Sequence, residues 1–257
     1  MTSLFGLEEK TAFIPGGYGG IGEAVAWGLA EAGARVAIAG RSRDKAEALA
    51  RRLTEAGHAA FGFEMDARNV ESIQAAVDAA VEKLGGLTLL VNCIGKNREQ
   101  KLAEVTEETF DDIYGTNLKS AMFLAQAAAR HQIAGARGGK QVHMLSVRSQ
   151  LGMRGYGYSA YCATKGALVM LVKQHAVELA QHGIQVNGIA PTVVLTEAAS
   201  KWKSDPGRWE ALLARIPLGR VAEPRDVVGA TLFFCAPASD FVTGQILYLD
   251  GGLTATQ

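Results

Sequence analysis

Cysteine is scarce in this sequence: Cys93, Cys162 and Cys235 stand far apart among 257 residues, with no CxxC pair. An odd, dispersed set excludes a disulfide framework and the common zinc spacings, and it predicts a reduced, cytoplasmic protein. Surplus charge is also missing. Lysine and arginine number 26, aspartate and glutamate 26, so no basic excess exists to displace counterions from a nucleic acid. No apolar run approaches the roughly 18 residues that suggest a membrane span. Residues Met1 to Lys10 lack the basic-then-apolar pattern of a secretory leader. A soluble protein with neither nucleic-acid nor membrane partners is expected.

Glycine, by contrast, is abundant: 30 of 257 residues, well above the roughly 7% of average usage. The glycines sit singly or in pairs at the ends of apolar runs, where strand-to-helix turns need them. Strand patterns fall at Thr11–Ile14, Arg35–Ala39, Ala60–Met65, Leu87–Asn92, Gln141–Ser146, Gln185–Ile189 and Ile246–Leu249. Helical patterns lie at Ile21–Ala32, Arg43–Ala56, Val70–Leu84, Ala103–Arg130, Tyr161–His182 and Pro224–Ala236. Alternation with short connections predicts one doubly wound α/β domain of Rossmann type spanning residues 1–257. Its seven-stranded, mainly parallel sheet carries helices on both faces. Ligands of such a sheet bind at the carboxyl ends of its strands. Only Glu197–Pro217 breaks the rhythm, with Trp202, Trp209 and Asp205-Pro206-Gly207. It reads either as a surface excursion packed by its tryptophans or as a lid over substrate.

After the first strand comes Pro15-Gly16-Gly17-Tyr18-Gly19-Gly20-Ile21-Gly22, opening into a helix. Missing side chains let the backbone approach a pyrophosphate, which the N–H groups at the helix start then bind. The second strand selects the dinucleotide. An NAD site usually ends this strand with a carboxylate for the ribose 2′-OH. Here it ends Gly40-Arg41-Ser42-Arg43. Arg41, helped by Ser42 or Arg43, suits a 2′-phosphate, so NADP(H) is expected over NAD.

Tyr161-Cys162-Ala163-Thr164-Lys165 places a tyrosine and a lysine one helical turn apart. Lowering a tyrosine by about three pKa units takes roughly 4 kcal/mol. An ammonium about 4 Å away supplies about that much at an effective dielectric near 20. The pair therefore suits proton transfer.

Taken together, these motifs resemble the short-chain dehydrogenase/reductases along essentially the whole chain. The Gly16/Gly20/Gly22 turn, Asp66-Ala67, Asn92-Cys93-Ile94-Gly95, Thr116-Asn117-Leu118, Ser146, the YxxxK motif and Val186-Asn187…Pro191 occur in the family's order, as does Thr243-Gly244-Gln245…Asp250-Gly251-Gly252. The resemblance implies that Tyr161 exchanges a proton with a ketone or alcohol oxygen. Lys165 would lower its pKa and hold the nicotinamide ribose. Asn117 would interrupt its helix and fix a water that relays protons to Lys165. Ser146, with Ser149 as alternate, would orient the substrate oxygen. Asp66 and Ala67 would face the adenine, Asn92 and Gly95 the adenosine side, and Pro191, Val194 and Thr196 the nicotinamide end. Gly16, Tyr18, Gly20, Ile21 and Gly22 would form the phosphate cradle. No metal is implied.

Five positions depart from the family pattern: Pro15 for a threonine, Cys93-Ile94 for Asn-Ala, Thr192 for a glycine, and Gly19 where NADP-binding members often carry a basic residue. The segments Pro191–Thr196 and Arg215–Arg220 look most like the branch acting on sugars and polyols. Loop residues Lys96, Arg98, Arg148, Gln150, Arg154, Tyr156 and Tyr158 are candidates to touch substrate, with Arg148 or Arg154 as a carboxylate ligand. Two other readings stand beside the sugar or polyol oxidoreductase. One is a reductase of carrier-bound 3-oxoacyl thioesters, and the other is a non-catalytic NADP(H) sensor. The resemblance also implies a homotetramer or homodimer formed through the Ala103–Arg130 and Tyr161–His182 helices.

Overall fold

A computed structural model describes residues 4–197 and 202–256. Its strands are β1 (Thr11–Pro15), β2 (Arg35–Gly40), β3 (Ala60–Glu64), β4 (Leu89–Asn92), β5 (Gly139–Met144), β6 (Ile184–Pro191) and β7 (Ile246–Leu249). They form one sheet in the order β3-β2-β1-β4-β5-β6-β7. Every pairing is parallel. The chain winds outward from β1 to β3, then crosses back to begin again at β4. The strand order therefore reverses between β1 and β4, and a crevice opens there at the carboxyl ends.

The strands are apolar on both faces because helices cover both. Ile14 and Ile38 point toward α1 (Gly20–Glu31), α2 (Arg43–Glu55) and α8 (Pro224–Cys235). Phe13 and Leu90 point the other way, into a core shared with α3 (Val70–Leu84) and α5 (Ser120–Ala134). A third core joins α5 and α6 (Ser159–Leu179) to β6. Burial of each such Phe, Ile or Leu side chain contributes about 1.5–3 kcal/mol.

Several expected boundaries move, three elements near the site among them. The single helix read at Ala103–Arg130 starts later, because Thr106 caps α4 (Glu107–Tyr114) by accepting from the Thr109 N–H. It then widens into a π turn at Gly115–Lys119 before continuing as α5. The fifth strand lies at Gly139–Met144, so Ser146 stands in the loop beyond it. The helix read at Tyr161–His182 begins at Ser159, and Gly183 ends its final turn at φ 67°.

Within Glu197–Pro217, residues 198–201 lie outside the described residues. The rest forms α7 (Pro206–Leu213), capped by Asp205. A small core of its own, Leu212, Ile216 and Val221 with Trp202 and Trp209, packs this segment beside the sheet edge.

Candidate active site

The strand β1 delivers Gly16 at φ 76°, where a Cβ would lie 3.0 Å from the Cys93 backbone. Pro15 has no N–H, and the turn is braced from both sides instead. Gly16 donates to the Ala39 carbonyl at 2.8 Å, and Cys93 donates to the Pro15 carbonyl at 2.9 Å. No side chain caps α1 at Gly19, which leaves the first N–H groups of the helix for an anion. Tyr18 folds over Gly40, whose missing Cβ would sit 2.4 Å from the tyrosine ring, and its hydroxyl accepts from the Ser42 N–H at 3.0 Å.

A cleft of about 580 Å³ follows, lined by Gly16, Tyr18, Gly20, Ile21, Arg41, Asp66, Ala67, Gly95 and Thr196. Met65, Arg68 and Asp112, not expected there from the sequence, line it too, as does Thr116 of the Thr116-Asn117-Leu118 motif. Arg68 had a signal, since it ends the Asp66-Ala67-Arg68 turn and donates its N–H to Asp66. No carboxylate lies at the end of β2 to oppose a phosphate beside Arg41.

Four residues expected at the ligand, Gly22, Ser42, Asn92 and Asn117, do not line the cleft and brace its walls. Gly22 closes the turn, its N–H donating to the Gly19 carbonyl at 2.6 Å. Ser42 caps α2 by accepting from Lys45. Asn92, 3% exposed, accepts from the Ile94 N–H at 3.0 Å and sets its amide 3.4 Å from His143. Its side chain therefore shapes the loop rather than meeting a ligand. Asn117 does interrupt its helix, at the π turn. Its amide, however, is engaged with both backbone groups of Lys96 and with the Thr164 hydroxyl. It ties three elements together, and its amide has little capacity left to hold a relay water.

Beyond the cleft, sharing Ile21, Gly95 and Thr196 with it, lies a smaller pocket of about 230 Å³ lined by Ser146, Tyr161, Lys165, Pro191 and Val194. Ser146 faces Tyr161 in this pocket and favours its ionised form. Ser149 instead shares a hydrogen bond with the Tyr248 hydroxyl at 3.1 Å. Lys165, 2% exposed, donates to the Met144 carbonyl at 2.7 Å and lies 5.8 Å from the Tyr161 ring centroid. Lys165 is not among the main influences on the tyrosine's ionisation here. Burial dominates, pushing Tyr161 up to about 12 against the opposing influence of Ser146. Burial also pushes Lys165 down to about 8. Thr192 lines the same pocket, and its buried hydroxyl lacks a partner among the described residues. A dinucleotide fits this arrangement: uncapped N–H groups for phosphate, Arg41 at the β2 end, and an unspent hydroxyl at the far end.

Most of the substrate candidates are already engaged. Lys96 pairs with Asp112, and Arg98 lies 3.9 Å from Glu108. Arg148, 7% exposed, donates from Nη1 to the carbonyls of Leu151 and Gly152 at 3.3 and 2.7 Å. It braces the loop after Ser146 through Nη1. Arg154 is exposed. Tyr156 and Tyr158 belong to a ring stack beside Tyr161. Among the described residues no cluster of metal-binding side chains occurs, and no helix is long and apolar enough to cross a membrane.

The lysine shift has a measurable consequence. Between about 8 and 10.5 the unfolded chain binds the Lys165 proton and the folded chain does not, so this residue makes stability rise with pH across that window. Tyr161, raised from 10 to about 12, acts oppositely above pH 10. Subtracting a Lys165→Met variant isolates the lysine. In urea titrations the parent-minus-variant stability should grow by about 3 kcal/mol from pH 8 to 10.5. A difference that stays constant contradicts the assignment.

A family model described as Enoyl-(Acyl carrier protein) reductase matches residues 17–254. Over 257 residues the chain is 39% identical to an uncharacterised oxidoreductase of Mycobacterium tuberculosis strain H37Rv, covering 98% of this chain and 93% of that protein. It is 35% identical to the 2-dehydro-3-deoxy-D-gluconate 5-dehydrogenase of Escherichia coli K12, covering 98% of each. The crystal structure of a gluconate 5-dehydrogenase from Burkholderia cenocepacia J2315 in complex with NADP and tartrate matches with TM-score 0.95 at 37% identity, over 99% of this chain and 98% of that one. With these matches, the parallel sheet and the serine–tyrosine–lysine pocket, the chain belongs to the short-chain dehydrogenase/reductase family and is an NAD(P)-dependent oxidoreductase acting on CH–OH/C=O groups.

Proposed function

We propose that this protein transfers a hydride between NADP(H) and the secondary alcohol or ketone carbon of a sugar, polyol or hydroxy acid, with Tyr161 as proton donor and acceptor. The observation that carries the reading is the convergence of Ser146, Tyr161 and Lys165 on one pocket that shares Ile21, Gly95 and Thr196 with the dinucleotide cleft. A bound nicotinamide supplies or accepts the hydride. Ser146 and Tyr161 both present hydroxyls to the same pocket, where a carbonyl oxygen can accept from each. Their hydrogen bonds favour the oxyanion that develops during reduction. Tyr161 keeps its proton at neutral pH, the form that ketone reduction consumes.

Relatives support the substrate class, since two of the three described above are named for gluconate or a deoxy-ketogluconate. With NADPD and 5-keto-D-gluconate, deuterium is expected on the carbinol carbon of the product. Its appearance in water instead overturns direct transfer.

Arg41 is the reason for preferring NADP(H). Arg41→Ala should lower kcat/KM for NADPH by about 10- to 100-fold, the worth of a lost charge-assisted hydrogen bond, and leave NADH nearly unchanged. Equal losses with both cofactors contradict the role.

Glu197–Pro217 acts as a lid in this reading, since Thr196 and Glu197 line the cleft from which it departs. A homotetramer or homodimer is supported by apolar side chains left exposed on α4, α5 and α6: Phe110, Tyr114, Met122, Met170 and Val177. The assembled serine, tyrosine and lysine argue against a non-catalytic sensor.

A further inference from the structure

The route from α7 to Tyr161 is continuous in aromatic rings. Trp202 stacks on Tyr156 at 5.4 Å between centroids and 25° between planes. Tyr156 lies 5.6 Å from Tyr158, and Tyr158 meets Tyr161 edge-to-face at 6.0 Å and 72°. Arg208, in the first turn of α7, closes the outer end. Its guanidinium carbon lies 4.7 Å from the Tyr156 centroid and 5.6 Å from that of Trp202, while Nε donates to the Tyr156 hydroxyl at 2.8 Å. Asp205 caps α7 by accepting from the Arg208 N–H at 3.1 Å, so the helix start and the cation are fixed together.

Resting on the oxidoreductase reading, we propose that Arg208 is a positioning residue: it latches α7 onto the Trp202–Tyr156 stack and thereby holds the Tyr158–Tyr161 wall against which substrate is bound. The latch is chemically specific. A planar cation lies against two electron-rich faces while donating to a phenol oxygen, which a lysine reproduces only in part. The ring ladder carries no charge or proton. It transmits position, because each ring limits where the next can stand. Among the described residues Arg208 makes no hydrogen bond or ion pair with Ser146 or Lys165; its partners are Asp205, Tyr156 and Trp202.

Two readouts test this. The first is independent of catalysis: chymotryptic cleavage after Trp202 in the cofactor-free protein, followed by mass spectrometry. Losing two cation–π contacts and a hydrogen bond should raise that rate about tenfold in Arg208→Ala, with Arg208→Lys between variant and parent. The second is steady-state turnover of 5-keto-D-gluconate with NADPH. In Arg208→Ala, KM for the sugar acid should rise about tenfold, kcat should stay within about twofold, and NADPH affinity should not change. Unchanged cleavage in Arg208→Ala overturns the latch. Faster cleavage with an unchanged KM overturns its coupling to the substrate wall. If the parent is inert toward the sugar acid, the substrate reading fails, while the cleavage rate still decides the latch.

Discussion

Tyr161→Phe should lower kcat by roughly 10³-fold, within the range set by losing a positioned proton donor, while the fold and NADPH binding survive. Phenylalanine keeps the ring that Tyr158 meets edge-on, so the aromatic wall and the helix around it need not move. Only the hydroxyl is lost from the pocket that Ser146 and Lys165 share with it. Removing this buried hydroxyl also lifts the penalty on ionising it, so the variant should be at least as stable as the parent above pH 10. The measurement is kcat beside an NADPH fluorescence titration. Turnover within tenfold of the parent, with cofactor bound equally, means that another group moves the proton.

Gly22→Ala should be the most damaging small substitution in the cofactor cleft. The added Cβ would lie 2.1 Å from the Gly16 carbonyl oxygen and 2.8 Å from the Gly17 Cα. Both neighbours are backbone atoms, so nothing can rotate aside and the turn itself must open. Overpacking of this kind costs typically about 1–3 kcal/mol, and a backbone clash belongs at the upper end. Because the same turn aims the N–H groups of α1, NADPH affinity should fall about 100-fold, well beyond what a general loss of stability produces. Gly229→Ala is the matched control. It lies in α8 with nothing within 4 Å of its missing Cβ, so it should stabilise the helix by about 0.5–1 kcal/mol and leave NADPH binding alone. Equal NADPH affinity in the two variants contradicts the role of Gly22.

The fold was legible because its signals are local. Glycines at strand ends and doubly buried apolar runs such as Thr11–Pro15 report their surroundings through neighbours along the chain. The lining residues of the glycine turn and the serine–tyrosine–lysine set were legible for the same reason. Roles that depend on which way a side chain turns were not. Asn92 ends β4 and Asn117 lies in the π turn, both beside the clefts, yet both amides turn inward to brace backbone. Arg148 is two residues from Ser146 in sequence, but its guanidinium satisfies the carbonyls of Leu151 and Gly152. The Tyr161–Lys165 spacing correctly places both groups in one pocket. It could not show that Lys165 reaches the Met144 carbonyl, or that burial dominates the tyrosine's ionisation. The Arg208 contact with Tyr156 joins residues 52 apart in the chain, and no local pattern announces it.

The most direct test is NADPH and NADH consumption by the parent across ketoaldonates, ketoses, simple ketones and a 3-oxoacyl thioester, at neutral pH. The account predicts fastest turnover with NADPH and a polar ketone of the ketogluconate type, lost in Tyr161→Phe. Preferential turnover of the thioester, or equal use of NADH, would contradict it.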